Sequence, residues 1–176
     1  MGWGGSTGTT TSGNYYLEIT GGKLYVNSVG DGLDSNGSIT MSGGEVYVSG
    51  PTNGGNGVLD YDQSFTISGG TLVATEAQGA MQQTPSASGD ACVVRFSSLG
   101  TQAAGTTISL KDSDGNEIVS YAPEKSFGSV VISSTELNVG STYTLYLNGQ
   151  QASTVTLSSN VTGGSSSGGG NQGGWW

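Results

Sequence analysis

The sequence has no histidine, one cysteine and only four cationic side chains among its 176 residues. Without histidine, the chain lacks the commonest general base and the commonest ligand of transition metals. Because Cys92 is alone, the chain can form neither an internal disulfide nor a thiolate metal cluster. Cys92 begins the apolar run "CVVRF", which predicts a buried and unreactive thiol.

Positive charge is scarce, and this restricts the partners. Thirteen carboxylates against four cations (Lys23, Arg95, Lys111 and Lys125) give a formal net charge of −9. Nucleic acid is excluded as an expected partner, because phosphate binding requires a basic surface. An acidic polymer remains a candidate where divalent cations connect it to the protein.

The chain also lacks a long apolar run, so no membrane insertion is predicted. Its first residues, "MGWGGSTGTTTSG", have neither the basic start nor the apolar stretch of a signal peptide. The composition is nevertheless typical of extracellular proteins. We therefore expect a secreted or cell-surface protein whose signal peptide is not part of this sequence.

Helical periodicity is missing, whereas glycine is abundant, with 33 residues. Short runs of alternating apolar and polar residues, separated by Gly, Asn, Asp and Ser, predict an all-β protein.

Three segments repeat around a Gly-Gly pair: "LEITGGKLYV", "ITMSGGEVYV" and "FTISGGTLVA". Their glycine pairs are 22 and then 26 residues apart, a spacing typical of a solenoid whose coils bury their apolar faces against each other. A third apolar position in each repeat adds a third strand, so we predict a short parallel β-helix of about three coils. A meander of antiparallel hairpins is the alternative, but it does not explain why the apolar positions recur in register.

Period-two alternation assigns the side chains of each coil to the interior or to the surface. Five columns are predicted to point inward: Leu17/Ile39/Phe65, Ile19/Met41/Ile67, Leu24/Val46/Leu72, Val26/Val48/Ala74 and Leu33/Leu59/Met81. Two are predicted to point outward: Lys23/Glu45/Thr71 and Tyr25/Tyr47/Val73.

Acidic residues recur at one place in two successive coils, in "GDGLDSNG" and "VLDYDQ". If Leu33 and Leu59 point inward, Asp34 lies beside Asp60 and Asn36 beside Asp62, about 4.8 Å apart. At this spacing two carboxylates repel by about 1 kcal/mol even in a water-like dielectric. Such an oxygen-rich cluster suits Ca²⁺. The predicted calcium ligands are Asp34, Asn36, Asp60, Asp62 and Asp31, the last from the same turn as Asp34; an ordinary solvated acidic turn is the alternative. In the third repeat, Gln82 and Thr84 occupy the aligned positions, which ends the acidic column.

Tyrosines and a lysine form the candidate ligand-binding surface. Tyr25 is predicted to lie over Tyr47, and Lys23 over Glu45 as an exposed ion pair. Stacked tyrosines offer an amphipathic platform for a sugar ring, but they also occur as simple cross-strand pairs. Tyr61, between the two acids of the second coil, is grouped with these candidates.

The repeat ends before Cys92, and four segments are predicted here. Residues 1–13 are a flexible Gly/Ser/Thr-rich segment and 14–89 the β-helix coils. Residues 90–159 are an antiparallel β cap with hairpin turns at Asp114-Gly115 and Asn148-Gly149, which also makes "DSDGNE" a turn and not a calcium loop. Residues 160–176 are a Gly/Ser-rich tail that ends in Trp-Trp. Trp3, Trp175 and Trp176 could dock on the solenoid, a glycan or another chain, so self-association through the termini or the solenoid ends is open.

The motifs "GDGLDSNGSITMSGG", "GPTNGGNGVLDYDQSFTISGGTLVA" and "VVISSTELNVGSTYTL" resemble a family of secreted clostridial carbohydrate-binding domains. The similarity runs from about residue 15 to 157. This resemblance implies a right-handed parallel β-helix that carries calcium and binds polygalacturonate, a pectin-like acidic polysaccharide. The family has more coils upstream, so the resemblance implies that this chain corresponds to its C-terminal part.

Three functions remain to be distinguished. The first is a non-catalytic module in which calcium connects the protein to acidic polysaccharide. The second is a structural or adhesive solenoid, or a filament subunit, in which calcium only stabilises the fold. The third is a polysaccharide lyase or hydrolase. A lyase needs a strong base near the calcium, and Arg95 lies in the predicted cap while Lys23 lies on another face, so we do not expect an enzyme.

Overall fold

The protein is described by a computed structural model, which describes residues 14–81 and 83–163. In this part of the chain all regular structure is β, which confirms the predicted all-β character, and no helix is long and apolar enough to span a membrane. The strands are β1 (Tyr16–Asn27), β2 (Leu33–Ser35), β3 (Ser38–Ser49), β4 (Leu59–Tyr61), β5 (Ser64–Ile67), β6 (Thr71–Glu76), β7 (Ser86–Ala87), β8 (Cys92–Phe96), β9 (Ile108–Asp112), β10 (Glu117–Tyr121), β11 (Ser129–Ser134), β12 (Thr142–Leu147), β13 (Gln150–Thr156) and β14 (Val161–Thr162).

The repeated segments pair in parallel and in the predicted register. β1 runs along the whole of β3, while the two halves of β3 continue onto β5 and β6. β2 pairs in parallel with β4 as a separate ladder. The four columns predicted on either side of the glycine pairs are therefore confirmed as register partners.

Glycine pairs allow the long strands to bend. Gly44, in the middle of β3, has a φ of 90°, which side chains other than glycine rarely adopt. A Cβ atom there would also come within 2.9 Å of the backbone of Gly21 in the preceding repeat. The repeat thus needs glycine here for two reasons, a left-handed backbone and the close approach of the neighbouring parallel strand.

The repeated parallel strands enclose the first of two cores. Its columns include residues without solvent exposure, such as Ile39, Met41 and Leu72. Met81, predicted to follow Leu33 and Leu59 inward, is instead 63% exposed, so that prediction is wrong. The backbone N–H of Met81 donates to the carbonyl of Asn56, so Met81 lies beside Gly57 and not beside Leu59.

The second core lies on the other face of the same sheet. β11 pairs antiparallel with β6, β8 pairs antiparallel with β11, and β14 pairs in parallel with β8, so the sheet has mixed strand directions. A four-stranded antiparallel sheet, in the order β10-β9-β12-β13, contributes Leu110, Tyr143 and Leu145 to this core. Val73, predicted to point to solvent, is fully buried here. That prediction is wrong because this second sheet covers the outer face of β6.

The predicted hairpin turns are confirmed. β9 and β10 pair on either side of Asp114-Gly115. β12 and β13 are joined by Asn148-Gly149, and both residues of this second turn have positive φ. The carboxylate of Asp112 accepts the backbone N–H groups of Asp114 and Asn116 at 3.0 and 2.8 Å, which makes "DSDGNE" a closed turn.

Two further expectations concern the region after residue 90. Cys92 is buried, as predicted, and burial raises the pKa of its thiol. The sheet continues through β14, past the predicted boundary at residue 159. Residues 1–13 and 164–176, with all three tryptophans, lie outside the described residues.

Candidate functional site

The β2–β4 ladder positions the predicted calcium ligands. We call this group of side chains the acidic turn stack: Asp31, Asp34, Asn36, Asp60 and Asp62. Asp34 and Asp60 are direct register partners. The backbone N–H of Asp62 donates to the carbonyl of Ser35 at 3.2 Å, which continues the ladder and brings Asp62 alongside Asn36. The predicted pairing of the two turns is therefore confirmed.

Asp60 lies at the electrostatic centre of this stack. Its pKa is raised, first because the carboxyl group is partly buried and then because Asp31, Asp34 and Asp62 repel its negative charge. A hydrogen bond between the Asp60 and Asp31 carboxyl groups raises the pKa further. The two turns thus bring four carboxylates within mutual influence.

Asp31 reaches the stack from the turn before β2. Its carboxylate accepts the backbone N–H of Gly57 at 2.9 Å and so ties the first coil to the second. Within the described residues, no three acidic side chains already converge as metal ligands. The donors are all oxygen atoms, as Ca²⁺ prefers, but a bound ion would require the exposed carboxylates of Asp34 and Asp62 to rotate towards it.

A glutamine that the sequence did not reveal ends the ladder at the third repeat. The side chain of Gln83 accepts the N–H of Tyr61 at 2.9 Å and donates to its carbonyl at 3.1 Å, like a strand residue. Tyr61 also donates its hydroxyl to the carbonyl of Thr84 at 3.0 Å, and its ring packs edge-on against Phe65. Tyr61 is thus held by contacts within the chain. Gln82 lies outside the described residues.

Aromatic side chains form a second surface on the outer face of β1 and β3. Tyr25 stacks on Tyr47 with ring centroids 5.1 Å apart, as predicted, and Tyr47 is followed by Tyr121 at 5.2 Å. Burial raises the pKa of Tyr121 to about 12, with a contribution from the charge of Glu124. Tyr25, 63% exposed, ends the row towards solvent. Tyr121 belongs to β10, so only the tertiary structure could add it.

Lys23 lies beside this row of tyrosines. Its ammonium group pairs with Glu45 at 3.0 Å, which confirms the predicted ion pair, and lies 5.6 Å from the Tyr25 ring and 5.8 Å from that of Tyr47. The hydrogen bond with Glu45 raises the pKa of Lys23. The surface therefore combines an exposed aromatic face with an exposed Lys23–Glu45 ion pair.

A buried ion pair connects Glu76 of β6 with Arg95 of β8. Arg95 is 3.8 Å from Glu76, with both side chains almost inaccessible to solvent. Glu76 also accepts the backbone N–H of Val58 at 3.0 Å. Desolvation raises the pKa of Glu76 and lowers that of Arg95, although each charge stabilises the other. The only arginine of the chain is thus enclosed in the core.

No protein-family model, no curated protein and no solved structure matches this chain.

Proposed function

We propose that this protein is a non-catalytic, extracellular binding module for acidic polysaccharide of the polygalacturonate kind. In this proposal the parallel strands form a short right-handed β-helix of about three coils, and Ca²⁺ joins the acidic turn stack to carboxylates of the glycan. The resemblance to clostridial carbohydrate-binding domains favours the same function.

One observation carries the proposal: Asp34 and Asp60 are stacked in register, with Asp31 and Asp62 close enough to raise the pKa of Asp60. Carboxylates repel at this spacing, so the arrangement costs stability unless a cation neutralises it. Ca²⁺ accepts six to eight oxygen ligands in flexible geometry. Protein carboxylates leave part of that coordination free for the uronate groups of a glycan.

The tyrosine surface supplies a second kind of contact. Tyr25 presents its ring to solvent and is supported from behind by Tyr47. The ammonium group of Lys23, paired with Glu45, lies beside the rings and can donate to oxygen atoms of a glycan. Glycan contact on Tyr25 therefore predicts that Tyr25→Ala weakens retention without changing calcium binding.

Retention on immobilised polygalacturonate tests the proposal. We expect the wild type to be retained in 1 mM Ca²⁺ and released by excess chelator, with no soluble product formed. Asp60→Asn/Asp62→Asn should not be retained, whereas Asp90→Asn, an exposed acid outside the stack, should behave like the wild type. Fully methyl-esterified pectin is the matched ligand control because it lacks the carboxylates. Equal retention on both polymers would refute the calcium connection.

A structural or adhesive role is the alternative. It is favoured by the exposed strand edge of β1, through which solenoids could associate. In that case calcium would stabilise the fold in the same way, but polygalacturonate would not be retained.

A further inference from the structure

The first coil leaves one strand edge open. Within the described residues β1 pairs with β3 alone, so the second edge of this 12-residue strand has no partner. Unpaired N–H and C=O groups along an edge attract other strands, and most proteins shorten or cover such edges. The far side of the coils differs, because there β11 pairs along β6.

Apolar side chains are exposed at the same end. Leu24 is 39% exposed, whereas its column partners Val46 and Leu72 are 1% and 0% exposed. Seven large apolar side chains are exposed in the described chain. Five belong to the first coil: Tyr15, Tyr16, Leu24, Tyr25 and Val29. The other two are Met81 and Val139. Among the inward positions of β1, Leu24 is therefore exposed, Leu17 and Val26 are half-buried, and Ile19 is buried.

The shape of this edge restricts what can pair with it. β1 bends at Gly21-Gly22, where φ of Gly22 is 80° and the register shifts. A straight strand cannot follow this bend, but a second copy bends at the same residues. Two copies that meet antiparallel, about a two-fold axis through the bend, keep both arms of β1 in contact.

This two-fold symmetry also places the inward-pointing side chains of one copy opposite the inward-pointing side chains of the other. With the axis between residues 21 and 22, Leu17 faces Val26 of the second copy, and Ile19 faces Leu24 of the second copy. All four are inward positions of the coil, so the two interiors become one continuous core. A shift by one residue would place apolar against outward side chains.

Charges agree with the same register. Glu18 faces Tyr25 of the second copy, and Lys23 of the second copy is its diagonal neighbour. Diagonal neighbours in antiparallel sheets are about 7–8 Å apart, within reach of long side chains. Glu18 is exposed and has no ion pair in the described part of the chain. The symmetry therefore creates two such Glu–Lys contacts.

We propose that the open edge of β1 is a homodimer interface, in which two copies of this chain pair head to head about the Gly21-Gly22 bend. The solenoid then continues through the dimer, and each copy covers the exposed Leu24 and the half-buried Leu17 and Val26 of the other. Closed two-fold symmetry limits the assembly to two chains.

Sedimentation equilibrium of the full chain tests the assembly, in chelator and 0.15 M salt. Between about 1 µM and 1 mM, a range that spans typical weak dimers, the mass should rise from 17.6 kDa to twice that value and no further. Glu18→Lys, which places two cations together across each contact, should raise the dimer dissociation constant about tenfold or more. Ala152→Lys, on the exposed edge strand β13, is the matched control and should leave it unchanged. A monomer throughout, or a mass that rises beyond two chains, would overturn the proposal.

Cysteine cross-linking tests the register. Glu18→Cys/Tyr25→Cys should form a covalent dimer under mild oxidation, because positions 18 and 25 face each other only between copies. Thr40→Cys/Tyr47→Cys has the same geometry one coil deeper, where both edges are paired, and should remain monomeric. Thermal unfolding shows that each variant is folded. Dimers by mass without cross-linking at 18 and 25 would assign the interface to another surface.

Discussion

Removal of one carboxylate from the acidic turn stack should have opposite effects with and without calcium. Asp60 is repelled by Asp31, Asp34 and Asp62. At a strand spacing of about 4.8 Å, each close pair costs about 1 kcal/mol in a water-like dielectric. Because the group is partly exposed and salt screens the longer distances, we expect Asp60→Asn to stabilise the calcium-free protein by about 1 kcal/mol. For a chain of this size, that raises Tm by about 2–4 °C.

Calcium should make the wild type more stable than Asp60→Asn. A ligand present at 100 times its Kd stabilises the folded state by about 2.7 kcal/mol, which corresponds to an increase in Tm of about 5–10 °C for the wild type. Asp60→Asn replaces a charged ligand by a neutral one and should gain much less. The wild type is therefore expected to be less stable than the variant in chelator and more stable than it in 1 mM Ca²⁺.

The sign of the pH dependence follows from the raised pKa of Asp60. The folded state binds this proton more tightly than the unfolded state, so ionisation of Asp60 destabilises the fold as pH rises through its pKa. In chelator, the stability difference between wild type and Asp60→Asn should shrink as pH falls towards and below that pKa. The calcium effect should shrink over the same range because protons compete for the carboxylates.

Thermal unfolding by circular dichroism measures all three effects, with Asp90→Asn as the control for loss of an exposed negative charge. If Asp60→Asn is no more stable than wild type in chelator, the stacked carboxylates do not repel as argued. If calcium raises Tm equally in both proteins, the ion binds outside the stack.

Two further changes test the core and the bends of the coils. Arg95→Met removes one partner of the buried ion pair and should lower the free energy of unfolding by about 3–5 kcal/mol, as measured by urea denaturation. The double variant Arg95→Met/Glu76→Gln should recover part of this loss, because a neutral amide can still accept the backbone N–H of Val58. A further loss in that double variant would contradict this account. Gly44→Ala should lower the free energy of unfolding by more than 1 kcal/mol in the same assay, because it strains a φ of 90° and forces a Cβ atom against Gly21. A free energy of unfolding equal to that of the wild type would show that the bend can relax.

The sequence by itself determined the register of the repeats. Their apolar positions recur at fixed offsets from the Gly-Gly pairs, and parallel stacking is the arrangement that places Leu17 over Ile39 and Leu24 over Val46. The same offsets predicted that Asp34 lies beside Asp60, because the side chains of a strand alternate strictly between its two faces. Local patterns sufficed for neighbours along β1, β3, β5 and β6 and between β2 and β4, but they failed at Met81, where the third repeat departs from the register. They also sufficed for the turn at Asn148-Gly149, whose conformation depends on its own two residues.

Only the tertiary structure decided what lies on the outer face of the repeated strands. Val73 and Tyr47 follow the same outward alternation, yet Val73 is fully buried and Tyr47 half-buried, because the sheet of β9, β10, β12 and β13 packs there. No repeat predicts this contact, which joins segments far apart in the chain. For the same reason the sequence could reveal neither Tyr121 behind Tyr47 nor Glu76 beside Arg95. Alternation states which side chains share a face of a strand, and the rest of the chain determines whether that face meets water or another sheet.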